Sequence, residues 1–246
     1  MILISDAETA GSGINIIYNG FWPATKLGDL SQPDDYISQS IQATSKLLNS
    51  IKSKNINKFI YTSSASVYGN YSFCEEASEC MPLSLHASLK VANEKLVSLF
   101  CQQNDIPFAI VRLFNMYGGE DKFSVIAKIL NAAKGESELN VLNGGKAIRD
   151  FIYIEDVVAA YLKILTSDFS GVINVASGFK TSVAEVMDKL QAENFPIKSH
   201  SLQRDEIQCS VASVEKLSKL VDMSTFTRVE DYLLAELRKP PVSNVY

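Results

Sequence analysis

No CxxC pair occurs among the four cysteines of this 246-residue chain, Cys74, Cys80, Cys101 and Cys209. Cys74 and Cys80 with His86 match no common zinc spacing, so free thiols in a reducing compartment are expected and no metal site. No stretch stays apolar for the length a bilayer requires, and the opening Met1-Ile2-Leu3-Ile4-Ser5-Asp6 carries no basic lead. A soluble, cytoplasmic protein with no membrane partner is the expectation. Positive charge is not in excess either. Lys and Arg number 23 against 28 Asp and Glu, for a net charge of −5 and a pI near 5.2. That argues against a nucleic-acid partner, while one local basic site remains able to hold an anion. Internal repeats, low-complexity tracts and flexible linkers are all missing.

Apolar residues are plentiful. They make up 46% of the chain, enough for a sizeable core in one large domain or two modest ones. Ile2–Ser5 and Ile14–Tyr18 read as buried strands, as do Lys58–Thr62, Phe108–Arg112 and Val172–Val175. Between them lie helical patterns. Ser31-Gln32-Pro33-Asp34 announces one, with Ile37, Ile41, Leu48 and Ile51 on its inner face. Leu85–Gln103 is a second, with Leu85, Leu89, Leu96 and Phe100 on one side. Ser124–Lys134 is a third. Asp150–Tyr153 leads into a fourth, running from about Glu155 to Thr166. Ser182 and Glu185 form a capping box that opens Val183–Asn194. Shorter helices are expected near Val214–Val221 and Val229–Lys239.

Strands alternating with helices imply an α/β fold with a parallel sheet covered on both faces. Ligands of such sheets sit beyond the strands' carboxyl ends. Asn19, Gly20, Ser63, Ser64 and Asn115 all fall at such ends. On a helix, His86 and Lys90 share one face, so a titratable ring and an ammonium can meet the hydroxyl-rich turn that ends Lys58–Thr62.

Five segments in order resemble the extended short-chain dehydrogenase/reductase family, in its nucleotide-sugar epimerase and dehydratase branch. They are Lys58–Gly69 (KFIYTSSASVYG), Pro82–Glu94 around Lys90, Val111–Gly118 (VRLFNMYG), Arg149–Val157 (RDFIYIEDV) and Gly171–Gly178 (GVINVASG). The resemblance implies a shortened doubly wound, Rossmann-like parallel sheet with a small C-terminal substrate lobe. Residues 1–178 would form the core, with a substrate-lobe insertion around 116–150, and residues 179–246 mainly the lobe. It implies an NAD- or NADP-dependent enzyme acting on a nucleotide diphosphate sugar, in the synthesis of surface polysaccharide or a modified sugar. Catalysis would fall to Ser64, His86 and Lys90. The substrate would be held by Asn115, Arg149 and Arg204. The cofactor would meet Asn19, Gly20, Ser63 and Lys90.

Three departures accompany the resemblance. The family's glycine-rich strand–turn–helix, which cradles a dinucleotide pyrophosphate on a helix N-terminus, has no counterpart. Gly11-Ser12-Gly13 lacks a third glycine, Ile14–Tyr18 resembles the family's fourth strand, and about two βαβ units, on the order of 60 residues, are missing. Ser40 stands where the family has Asn. His86 stands in place of the catalytic Tyr. An imidazole near its usual pKa of about 6.5 is a competent base, and an adjacent Lys90 lowers that pKa. The same ring also reads as a packed polar remnant, which opens an alternative: a non-catalytic or cofactor-independent nucleotide-sugar binding protein, or a partner subunit of an intact homologue. Missing first strands would bare an apolar sheet edge, so a homodimer or a covering partner chain is expected. Other residues keep two readings as well. The serine turn lines a site or caps its strand, Arg149 grips an anion or forms an ion pair, and Asp150 and Asp156 read as structural.

Overall fold

The protein is described from a computed structural model that places residues 2–4, 13–20, 33–52 and 54–240. The central sheet runs β1 (Ile2–Ile4), β2 (Ile14–Tyr18), β3 (Ile56–Ser64), β5 (Phe108–Leu113), β9 (Gly171–Val175) in spatial order. All neighbours are parallel except β1, which pairs antiparallel with β2. The first sequence-predicted strand therefore forms, but as a three-residue edge. It covers the flank of β2 that was expected to lie bare.

Alternation along β3 and β5 feeds two cores. Phe59, Tyr61, Phe108 and Ile110 pack against α2 (Ala43–Ile51) and α3 (Leu85–Gln103). Ile60, Ala109, Val111 and Leu113 face α5 (Ile154–Thr166) and α7 (Glu215–Ser218). A strand with both faces covered reads as a continuous apolar run, which is why these two were legible.

Two helical faces differ from expectation. Between α1 (Pro33–Ile37) and α2, Ser38–Gln42 form a π turn. The extra residue rotates the stripe, so Tyr36, Thr44, Leu48 and Ile51 are buried while Ile37 is 41% exposed. On α3 the leucines lie on the flanks. The inner stripe is Ala87, Lys90, Asn93, Glu94, Val97 and Cys101, half of it polar. Apolar periodicity misplaces such a face because its buried polar groups are paired rather than absent.

Beyond the carboxyl end of the central sheet lies a second sheet. It comprises β10 (Lys180–Ser182), β8 (Ile148–Tyr153), β12 (Cys209–Ala212) and β4 (Phe73–Cys74), with β6 (Asn115–Tyr117) also on β8. Asp150–Tyr153, expected to lead into a helix, is thus strand up to the start of α5. A two-stranded parallel ladder joins β7 (Leu139–Leu142) to β11 (Ser199–Leu202). Helices α4 (Val125–Ala133), α6 (Val183–Ala192) and α8 (Val229–Leu237) pack over this region around Ile126, Ile129, Val186, Leu190 and Leu233. The capping box of Ser182 and Glu185 forms as the sequence indicates. Among the described residues, no helix is long and apolar enough to cross a membrane.

Candidate functional site

The carboxyl ends of β2, β3 and β5 come together as parallel pairing demands. At the end of β3, Ser64 turns the chain into a short 3-10 turn, Ala65–Tyr68, its hydroxyl accepting from Ser66 N at 3.2 Å. Gly69 closes the turn at φ +64°, where a Cβ would stand 2.0 Å from the Met81 carbonyl oxygen. Only glycine lets segment 81 lie so close.

Ser64 lines a cavity of about 250 Å³ with Leu113, Phe114, Asn115, Arg149 and Ser210. A second cavity, about 310 Å³, adjoins it. Asn115 and Arg149 line both, and Lys128, Val141, Gly145, Phe151, Val183 and Glu206 complete the larger one. Asn115 is fixed by donating Nδ2–H to the Asp150 carbonyl at 2.9 Å. Arg149 sits half-buried on β8, with Nη1 donating to the Ile148 carbonyl and Nη2 3.3 Å from Glu206 Oε2. Burial works against its charge and Glu206 opposes that. The next residue, Asp150, is fully buried. Its carboxylate accepts from Ser177 N and Oγ, both at 2.8 Å, and from Gly178 N at 3.1 Å. Burial still lifts its pKa to about 6.

His86 and Lys90 lie elsewhere. With Gly20, Tyr36, Gln39, Ser40 and Leu89 they line a separate niche of about 20 Å³. Such a volume suits a single water. Lys90 Nζ donates to the Gly20 carbonyl at 2.9 Å and the Thr62 carbonyl at 2.8 Å, tying β2 to β3. Burial pushes its pKa down to about 8, with Glu94 opposing. Thr62, rather than Ser63, meets Asn19, and Thr62 Oγ1 also lies 2.7 Å from the Tyr161 hydroxyl. Ser63 is buried and donates to Glu94 on the other face of the strand. Arg204 lies on the exposed loop after β11, where only its backbone N–H and C=O meet Asn143. The structure thus groups Ser64, Asn115 and Arg149 around one cleft, and Gly20, His86 and Lys90 around another, while Asn19 lines neither and meets Thr62 instead. Ser63 and Arg204 line neither cavity.

Two residues were missed from the sequence. Glu206 sits two positions beyond Arg204 in a loop that carries no periodic signal. Glu94 stands four residues after Lys90 on the same helical face, a spacing that was available. No cluster among the described residues could hold a metal ion.

The imidazole of His86 is held near pKa 4, first by burial and second by Lys90. Lys90 was expected to be the cause and is the lesser one. Unfolded, the ring takes its proton near pH 6.5; folded, it resists until about 4. The protein is therefore expected to lose stability as pH falls through that window. NMR titration of the imidazole should show His86 neutral from pH 8 down to 5.5. A His200→Gln variant leaves one histidine to observe, and an inflection near 6.5 would show the ring to be solvated.

The family profile described as "NAD dependent epimerase/dehydratase family" matches residues 8–176, more than half of the sequence. The chain belongs to this family. Among similar proteins, the uncharacterized UDP-glucose epimerase YtcB of Bacillus subtilis is 23% identical over 244 residues, covering 96% of this chain and 77% of YtcB. The low-salt glycan biosynthesis protein Agl12 of Haloferax volcanii is 28% identical over 162 residues, or 64% of this chain and 52% of Agl12. The solved UDP-N-acetylglucosamine 4-epimerase of Methanobrevibacter ruminantium, in complex with UDP-N-acetylmuramic acid, superposes with a TM-score of 0.76. It shares 27% identity over 91% of this chain and 74% of that one.

The family is NAD dependent, and the described residues supply only part of such a site. No glycine-rich strand–turn–helix occurs among them. The strand beside β2 runs antiparallel, so the described residues present neither a carboxyl strand end nor a helix N-terminus there to receive a pyrophosphate. Two of the Lys90 ammonium protons are already taken by carbonyls. These residues do not fit a whole dinucleotide.

Proposed function

We propose that the cleft shared by Asn115 and Arg149 receives a nucleotide diphosphate sugar. We place the protein in the synthesis of a surface polysaccharide or a modified sugar, in the cytoplasm. One observation carries this reading: two adjoining cavities, about 310 and 250 Å³, meet at Arg149 and Asn115, and the smaller ends at Ser64. A planar guanidinium between two chambers suits a diphosphate joining two bulky groups. Family membership and the relatives' names support the same class of ligand. Native mass spectrometry of the protein as purified, followed by thermal-shift screening of UDP-, dTDP- and GDP-sugars, tests it. No bound mass and no shift would reject it.

Epimerase- or dehydratase-type chemistry on that ligand is the leading reading. In it Ser64 orients a sugar oxygen and His86, neutral at pH 7, accepts a proton. The alternative is a non-catalytic nucleotide-sugar binding protein, or a partner subunit of an intact homologue. The separation of the His86 niche from the Ser64 cavity favours it. Activity of the wild type that is untouched in His86→Ala removes His86 from any mechanism. Absence of turnover in wild type and His86→Tyr, with ligand binding intact, selects the binding protein.

Dinucleotide binding is expected to be weak, because the described residues lack the backbone cradle that holds a pyrophosphate. Calorimetry with NAD and NADP should give no submicromolar affinity, and such an affinity would refute the expectation.

Self-association, or cover by a partner chain, is also proposed. Val158 and Leu162, one turn apart on α5, are 52% and 56% exposed and form an outer apolar row. Sedimentation at micromolar concentration should report at least a dimer, and a monodisperse monomer would argue against it.

A further inference from the structure

Arg149 does not face its cavity with an empty fork. Its Nη2 lies 3.3 Å from Glu206 Oε2, while the other Glu206 oxygen accepts from Asn143 Nδ2 at 2.9 Å. Arg149 and Glu206 both line the larger cavity. A carboxylate thus stands where a phosphate oxygen would seek the same guanidinium, since both anions use the same donors.

The carboxylate rides on the loop 203–208, between β11 and β12. Residues 203–205 are exposed, and no residue of the loop belongs to the buried core. Few contacts hold it. The Asn143 side chain donates to the Arg204 carbonyl at 2.6 Å and accepts from Arg204 N at 3.1 Å. Ile148 N donates to the Gln208 carbonyl at 2.9 Å. Asn143 itself sits at φ +45°, a conformation that asparagine tolerates better than most residues. The ties upstream of Gln208 are side-chain hydrogen bonds, and the one apolar residue of the loop, Ile207, is only half-buried, so the segment opens at low cost.

We propose that Glu206 is a displaceable internal anion. It neutralises Arg149 in the ligand-free cleft and yields that position to the phosphates of the ligand, turning outward with its loop. The proposal rests on the reading of this cleft as a diphosphate site. Affinity is then a difference between two anions competing for one cation. Removing the Glu206 charge therefore tightens phosphate binding, the opposite sign to that of a residue that only contacts the ligand.

Calorimetric titration of inorganic pyrophosphate, and separately of UDP, into the wild type, Glu206→Gln and Glu206→Gln/Arg149→Ala is the test. Glu206→Gln is expected to bind pyrophosphate on the order of tenfold tighter than the wild type, and the double variant to lose that gain. Glu206→Ala, which keeps no acceptor at all, should show the same direction. A tighter grip on pyrophosphate with a weaker grip on UDP also supports displacement, and adds a contact from Glu206 to the nucleoside. Equal or weaker pyrophosphate binding by both Glu206 variants, with the wild type binding measurably, overturns the proposal and leaves the cleft assignment standing. Failure of the wild type and both variants to bind either probe overturns both.

Discussion

Arg149→Ala should weaken nucleotide-sugar binding by on the order of a hundredfold. Hydrogen bonds to charged groups contribute about 1.5–3 kcal/mol net, and each 1.4 kcal/mol is roughly tenfold in affinity. The loss adds to a second effect. Without the guanidinium, Glu206 is left as an unbalanced carboxylate at the cavity wall, which an anionic ligand must still displace. Arg149→Lys keeps the charge but not the fork, so it should recover only part of the affinity. Calorimetry with whichever nucleotide sugar gives the largest thermal shift is the measurement. Affinity unchanged in Arg149→Ala would remove Arg149 from the site. Arg204→Ala serves as the comparison, with little effect expected, because the Arg204 contacts shown are those of its backbone.

Glu94→Ala should be among the most destabilising single changes in the molecule. Glu94 accepts from Arg112 Nη2 at 2.8 Å and Nε at 3.1 Å, and from the Ser63 hydroxyl. Both charged side chains are at least nine-tenths shielded from solvent. Burial works against the Arg112 charge, but hydrogen bonding and attraction to Glu94 outweigh it and raise its pKa above the usual value. Removing one partner strands the other as a buried charge, which costs about 3–5 kcal/mol. Arg112 also lies 4.7 Å over the Tyr68 ring and donates to Cys80 Sγ at 3.1 Å. Its disturbance therefore reaches the turn beside Ser64. Urea unfolding should show the midpoint falling sharply, with the slope unchanged. Replacing both members together, Glu94→Leu with Arg112→Met, should recover much of the loss. A shift below 1 kcal/mol in Glu94→Ala would show that the pair is open to water.

The central strands and the length of α3 were legible because each repeats a period over several turns or faces. Leu85–Gln103 is bounded as the sequence suggests, since Ser84 caps its start and accepts from Ala87 N. Its buried side was not legible. Lys90 and Glu94 turn inward because Gly20 O, Thr62 O, Ser63 and Arg112 wait for them, and those partners lie far away along the chain. The π turn before α2 has no signature in apolar spacing, so Ile37 was placed inside and Tyr36 was not. Strands of two to four residues, such as β4 and β12, are too short to show alternation. The same physics divides the candidate site. Asn115 and Arg149, which line the cleft, could be singled out because each lies in a recognisable segment next to a strand end. Glu206 was not, because its role is set by where an exposed loop crosses β8. His86 stands apart from the Ser64 cavity, in a niche shared with Tyr36, Gln39 and Ser40 of a distant segment, a meeting that no local pattern encodes.

The two walls of the cleft differ in how they come apart. Ser64 terminates β3, which is hydrogen-bonded on both sides and buried from Lys58 to Ser63. Amides in such a strand exchange with solvent only when the whole domain opens. Glu206 belongs to a loop flanked by β11, whose four residues are all exposed and whose only described strand partner is β7. On its other side the loop enters β12, which is paired with β8 and β4, so local opening is confined to the stretch from β11 to Glu206. The cleft thus sets a slowly exchanging strand against a loop expected to exchange early, and hydrogen exchange at residues 58–63 against 199–206 would show the difference.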